Sequence, residues 1–227
     1  MSFIVKNTTF CSLIDLICPH SCRGCGAIGE ALCECCKNDI ILEHRDFCPN
    51  CKGPVSNFCC DNCHLPPIFT VGPRDRLLAA VIHDYKYHQN RALATKLAEI
   101  LDQTLPVFSE PVTIVPLPTI RRHIRERGFD HMLLLAKKLS KLRGFEVSQI
   151  LMRAKNTVQV GADQLTRQKQ AREAYALSGT VDPSKTYLLL DDVWTTGASM
   201  KAALKKLQGA GAFRVFGAVL AVSRIKH

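Results

Sequence analysis

From residue 67 onward the apolar positions alternate between helical spacing and short unbroken runs. Leu77, Leu78, Val81 and Ile82 put an apolar stripe on Asp75–Tyr87, and Leu93, Leu97, Ile100 and Leu101 do the same for Arg91–Leu105. Both segments predict amphipathic helices. Helices are also predicted from about Asp130 to Leu142, over Gln164–Tyr175, and over Ala198–Gln208, where Gly209 and Gly211 end the pattern. The runs between them suit strands: Pro111–Pro118 (ended by prolines), Val147–Met152, Tyr187–Leu190 and Phe213–Val222. Strands that alternate with helices predict an α/β domain with a parallel sheet and crossover connections. A further apolar helical pattern, with Phe10, Leu13, Ile14, Leu16 and Ile17, stands near the N-terminus.

The most informative stretch is Tyr187–Met200, YLLLDDVWTTGASM. A short apolar strand runs into paired carboxylates, Asp191 and Asp192. A loop with Thr195, Thr196, Gly197 and Ser199 follows, and the helix begins at about Ala198. Ionised carboxylates only accept hydrogen bonds, and a sugar's vicinal diol offers two donors. Backbone N–H groups at a helix N-terminus, with hydroxyls beside them, favour an anion by about 0.3–1 kcal/mol per charge. The layout therefore predicts a site for a ribose bearing a 5′-phosphate at the carboxyl end of a strand, where open α/β sheets bind ligands. No lysine follows the glycine, which disfavours a nucleoside-triphosphate loop. Trp194, the only tryptophan, lies in this stretch and is expected to pack beneath the loop.

Composition divides the 227 residues in two. All twelve cysteines lie between Cys11 and Cys63. Residues 1–66 carry a net charge of −2 and residues 67–227 a net of +12, so a polyanionic ligand or partner belongs with the second part. The predicted boundaries are 1–66 for an N-terminal helix and cysteine module, and 67–227 for the α/β domain. No run of eighteen apolar residues is present and no secretory leader is evident, so a cytoplasmic, reducing compartment without a membrane span is expected.

Within the module, Cys22, Cys25, Cys33 and Cys36 form one quartet and Cys48, Cys51, Cys60 and Cys63 a second, in an internal repeat with near-equal spacing. Short Cys-x-x-Cys loops turn both sulfurs to one side, and two such knuckles complete a tetrahedral zinc site. Two sequential structural zinc sites, a double zinc ribbon, are predicted; pairing the first knuckle with the third is the alternative. Cys35 and Cys59 could replace Cys36 and Cys60 by a one-residue slip. Cys11 and Cys18 suit buried thiols, while His20, His44 and His64 suit solvated loops. So small a module has few large apolar side chains, and structural zinc can supply roughly 10–16 kcal/mol toward folding it.

The carboxylate pair and threonine-glycine loop resemble the phosphoribosyl-pyrophosphate signature of type I phosphoribosyltransferases. Together with the cysteine repeat, four more segments resemble the bacterial competence protein F (GntX-like) family. They are Tyr85-Lys86-Tyr87; Val115-Pro116-Leu117-Pro118; Arg127-Gly128-Phe129; and Arg153 with Thr157 and Gln159. Lys169 and Arg172 stand roughly where that family has arginine and asparagine. Asp130 and His131 stand where it usually has Asn-Gln. The resemblance implies a phosphoribosyltransferase-like domain joined to a zinc module.

By the same resemblance, Asp191 and Asp192 hold the ribose hydroxyls, while Thr195, Thr196, Gly197, Ala198 and Ser199 hold the phosphate. Magnesium would arrive with phosphoribosyl pyrophosphate. Lys86, Arg127 and the neighbouring Arg121, Arg122 and Arg125 are candidates to stabilise charge on the departing pyrophosphate. Three readings follow: a transferase with an unknown acceptor, a non-catalytic protein binding single-stranded DNA during uptake, and a sensor of phosphoribosyl pyrophosphate acting on other competence proteins. For DNA, Arg121, Arg122 and Arg125 are the candidate contacts. Aromatics make up only 7% of residues, which favours phosphate tracking over base stacking.

Overall fold

The structure, a computed structural model, describes residues 20–223 apart from 43, 45, 57, 64, 89 and 155–173. The apolar N-terminal pattern with Cys11 and Cys18, His64, and the segment carrying Thr157, Gln159, Lys169 and Arg172 lie outside the described residues.

Helix α1 (Glu34–Ile41) belongs to the cysteine module. It is followed by β1 (Ile68–Pro73), α2 (Arg76–Tyr87), α3 (Leu93–Thr104) and β2 (Val112–Pro116). Next come α4 (Arg121–Arg127), α5 (His131–Arg143), β3 (Glu146–Val147), β4 (Leu151–Arg153) and β5 (Tyr175–Leu177). The described chain closes with β6 (Thr186–Trp194), α6 (Ala198–Gly209) and β7 (Arg214–Val222). Five strands form a wholly parallel sheet in the order β1-β7-β6-β2-β3, and β4 and β5 make a separate antiparallel pair.

A parallel sheet covered on both faces needs strands that are apolar on both sides, and β6 meets that need. Leu188 and Leu190 enter one core with Leu78, Leu97 and Leu135, while Tyr187 and Leu189 enter the other with Met200, Leu204 and Val215. Two of the helices on the first face, α2 and α5, start from side-chain caps. Asp75 accepts from the Leu78 N–H at 2.8 Å, and Asp130 accepts from those of Met132 and Leu133 at 3.1 Å. Capping oxygens of this kind satisfy donors that a helix leaves without partners.

Several elements differ from the sequence-based expectation, the helices α1 and α4 among those not foreseen. The strand expected over Tyr187–Leu190 runs on to Trp194 and takes in both aspartates, because β7 pairs with it there (Asp191 opposite Val219, Val193 opposite Ala221). Val147–Met152 is not one strand: β3 joins the main sheet and β4 leaves it. Tyr175, expected to end a helix, lies in a strand. β1 was not foreseen. It is an edge strand, where Pro73 costs no ladder bond inside the sheet.

The cysteine module shares the first core. Cys22, Leu32, Cys36 and Ile40 are buried with Val71, Leu78 and Leu97. Ion pairs reinforce the junction: Arg23 meets Asp84 at 2.6 Å, and the buried Lys37, held by Glu34 of its own helix at 2.7 Å, meets Glu99 at 3.5 Å.

Candidate functional site

The carboxyl end of β6, the turn after it and the first residues of α6 form a shallow pocket. Asp191 and the residues Val193 to Met200 line it. Thr195, Thr196, Ala198 and Ser199 are exposed around its rim, and Gly197 is buried at its base. Gly197 starts α6 with φ 76°, a conformation that L side chains rarely adopt. A Cβ at Gly197 would also lie 2.1 Å from Cζ2 of Trp194, whose indole is 2% exposed and fills the space beneath the loop. Glycine is required here twice over, and the tryptophan packs as expected. Ser199 lies beside the buried Tyr175 of β5.

The two aspartates differ in their surroundings. Asp192 Oδ2 accepts from Lys86 Nζ at 2.6 Å and from His131 Nε2 at 2.7 Å. Burial pushes its carboxyl up, but the His131 hydrogen bond and the Lys86 charge outweigh that and hold it near 2. Among the described residues, Asp191 takes only the Asp192 backbone N–H, at 2.9 Å. Burial, with the Asp192 charge beside it, pushes the Asp191 carboxyl up to about 7, against a smaller opposing pull from the Asp192 backbone N–H, Lys86 and Arg153. One carboxylate is thus fixed and ionised, and its neighbour takes a proton near neutrality.

Behind Asp192 the chain of bonds continues. Arg127, 7% exposed, lies with Nη1 3.0 Å from His131 Nδ1, and its guanidinium sits 5.1 Å from the Tyr87 ring centroid. A guanidinium can only donate. His131 Nδ1 must therefore accept, and its Nε2–H donates to Asp192. The Tyr85 hydroxyl donates to the His131 carbonyl and fixes the backbone there. The sequence reading singled out Asp192, Lys86 and Arg127 but gave His131 no role beyond a departure from Asn-Gln. The structure explains both residues of that departure. Asp130 caps α5 with the kind of oxygen an asparagine would offer. The imidazole presents one acceptor and one donor, as a glutamine amide does. An imidazole among Arg127, Asp192 and Lys86 was the available signal, and only the fold brings those groups together.

Arg121, Arg122 and Arg125 lie on α4, exposed and away from the Arg127 network. Arg122 is paired with Glu126 at 2.6 Å. Arg121 borders an open cleft of about 790 Å³ that also includes Pro116–Thr119 and Met152–Ala154. Asp191 and the hydroxyl-rich loop thus line one pocket, Asp192 beside it in β6 is tied to Lys86 and His131 and through His131 to Arg127, and the three arginines are set apart.

In the cysteine module the structure selects sequential pairing. The sulfurs of Cys22, Cys25, Cys33 and Cys36 lie within 4.8 Å of one another, as do those of Cys48, Cys51, Cys60 and Cys63. Cys35 and Cys59 belong to neither quartet. Backbone N–H groups of Gly24 and Cys33 point at Cys22 Sγ (3.4 and 3.3 Å), and that of Asn50 at Cys48 Sγ (3.4 Å). Donors aimed at sulfur favour thiolate, the form that binds zinc. Both quartets fit a tetrahedral zinc ion.

No protein-family model matches the chain. Over 212 residues it is 26% identical to the competence protein ComFC of Streptococcus pneumoniae, covering 90% of this chain and 89% of that one. Among solved structures, the allosteric regulatory enzyme of purine biosynthesis matches 60% of this chain at 17% identity and a TM-score of 0.44. Adenine phosphoribosyl transferase from Trypanosoma brucei matches 82% at 10% identity and a TM-score of 0.40. The chain spans 29% of the first of these structures and 79% of the second. The chain is thus similar over nearly its full length to a competence protein, and it joins a parallel sheet to two four-cysteine clusters.

Proposed function

We propose that this protein binds phosphoribosyl pyrophosphate with magnesium at the β6–α6 junction and serves natural competence in the cytoplasm, where DNA is taken up and handled as single strands. The observation that carries the reading is the pocket that Asp191 shares with the hydroxyl-rich loop at the start of α6, with Asp192 next to it at the end of β6. Asp191, whose carboxylate takes only a backbone N–H among the described residues, receives a ribose hydroxyl. Asp192, fixed by Lys86 and His131, receives the other. The phosphate lies on the exposed N-terminus of α6, among Thr195, Thr196 and Ser199. Magnesium, when bound with the pyrophosphate, supplies charge neutralisation there.

Transfer of the ribosyl group to an acceptor in the neighbouring cleft is the enzymatic form of this reading. The bond from the anomeric carbon to the pyrophosphate oxygen breaks as the bond to the acceptor forms. The exposed arginines of α4, with Arg121 on the edge of that cleft, favour a second role, holding nucleic-acid phosphates.

Titration calorimetry with phosphoribosyl pyrophosphate and magnesium tests the site. The ionised form of Asp191 binds the diol, and folding holds its pKa up to about 7. Affinity should therefore rise between pH 6 and pH 8, by at most about tenfold per unit, and level off above. Asp191→Asn should remove that pH dependence, and Asp191→Asn with Asp192→Asn should abolish binding. Unchanged affinity in the double variant would remove the phosphosugar site. Pyrophosphate release with a panel of bases then separates a transferase from a sensor.

A further inference from the structure

We infer that the second four-cysteine knuckle is a prop for the phosphate loop, acting through Lys52 and Trp194, so that metal in the quartet Cys48, Cys51, Cys60 and Cys63 sets how tightly the loop holds a phosphorylated sugar. The inference rests on the site proposed above and adds to it a reason for joining a metal module to such a site.

The loop stands on one indole, and the indole is held by the knuckle. Phe47, immediately before Cys48, meets the Trp194 ring edge to face, with centroids 5.1 Å apart. Lys52, immediately after Cys51, puts Nζ 4.1 Å from the centre of the same ring. The two side chains that clamp the tryptophan therefore bracket the first ligand pair of the quartet. No hydrogen bond does this work instead, because Trp194 Nε1 is buried without an acceptor among the described residues. Nor is Lys52 committed to a carboxylate: its ammonium donates to the Pro49 carbonyl at 3.4 Å, the Cys48 and Cys51 sulfurs attract it when ionised, and no described carboxylate pairs with it.

The backbone of Lys52 points the same way. Its φ is 64°, in the left-handed region that a lysine seldom occupies. The turn that imposes it is the knuckle itself, where the Lys52 N–H donates to the Cys48 carbonyl at 3.1 Å and the Cys48 N–H to the Gly53 carbonyl at 3.0 Å. Pro49 and Asn50 of this turn also border a groove of about 230 Å³ with Lys201, Leu204 and Lys205 of α6, the helix that opens at the loop. A metal holding Cys48 and Cys51 fixes the turn, the turn fixes Lys52, and Lys52 holds the ring that Gly197 rests on. The first quartet reaches the molecule elsewhere, through Cys22 and Cys36 in the opposite core.

Trp194 is the only tryptophan, so its emission reports this contact without interference. Lys52→Gly suits the left-handed turn and removes the prop; Lys52→Arg keeps a cation over the ring. The glycine variant should retain both zinc ions, shift Trp194 emission, and weaken binding of phosphoribosyl pyrophosphate with magnesium by about threefold to tenfold. The arginine variant should restore both signals. Cys60→Ser should disturb the emission more than Cys33→Ser does. Wild-type emission and affinity in Lys52→Gly, or a Cys33→Ser effect as large as that of Cys60→Ser, would overturn the inference. Should the unaltered protein fail to bind the sugar phosphate, the proposed site falls. The emission measurements, made without ligand, still decide whether the knuckle props the loop.

Discussion

His131 joins Arg127 to Asp192, a residue 61 positions away in the sequence, and its two ring nitrogens have opposite duties. Any replacement must accept at one end and donate at the other. His131→Gln meets both demands and should stay within about 1 kcal/mol of the unaltered protein in denaturant unfolding. His131→Ala leaves a buried guanidinium without that partner and should cost about 1–3 kcal/mol. Equal losses in the two variants would mean that ring packing, and not the donor–acceptor pattern, is what His131 supplies. Residue chemistry was legible in part. Adjacent aspartates before a hydroxyl-rich loop pointed to a diol and a phosphate because the chemistry of those groups is local. The unequal roles of the two aspartates were not legible, since Lys86 and His131 come from α2 and α5.

The β6–α6 junction shows how a few bonds at the level of elements override local preference. Aspartate disfavours strands, so the sequence pattern ends the strand at Leu190, yet pairing with β7 carries it four residues further, to Trp194. That extension brings Trp194 back beneath the turn and leaves Gly197 no room for a side chain. Gly197→Ala would meet both a left-handed backbone penalty of about 1–2 kcal/mol and a clash with the indole. It should destabilise the protein by at least about 2 kcal/mol in chemical unfolding, shift Trp194 emission and lose phosphosugar binding. Wild-type stability in this variant would show that the turn has another conformation open to it. The helix itself was legible from its apolar spacing and its terminal glycines. The demand on Gly197 from Trp194 was not, because it depends on the strand's added length.

At the scale of the molecule, the cysteine module and the parallel sheet unfold or persist together, because Leu32, Cys36 and Ile40 lie in the same core as Leu78 and Leu97. Metal analysis should return about two zinc ions per chain, and a strong chelator should lower the melting temperature of the whole chain in one transition. Two separate transitions would mean that the shared core contributes little, and a single zinc ion would mean that one quartet is degenerate. The sequence by itself determined what depends on neighbours a few residues apart: the helical and strand periods, the knuckles and their repeat, and the hydroxyl-rich loop after the paired acids. Spacing and side-chain chemistry act over that range, so one dimension suffices to read them. Tertiary structure alone decided which carboxylate is fixed, what Arg127 and His131 do, and that the module's Lys52 holds a tryptophan of the distant loop. Each of those contacts depends on the strand order β1-β7-β6-β2-β3 and on how the module covers the sheet. That arrangement is selected by burying both faces at once, a property of the whole chain that no short segment carries.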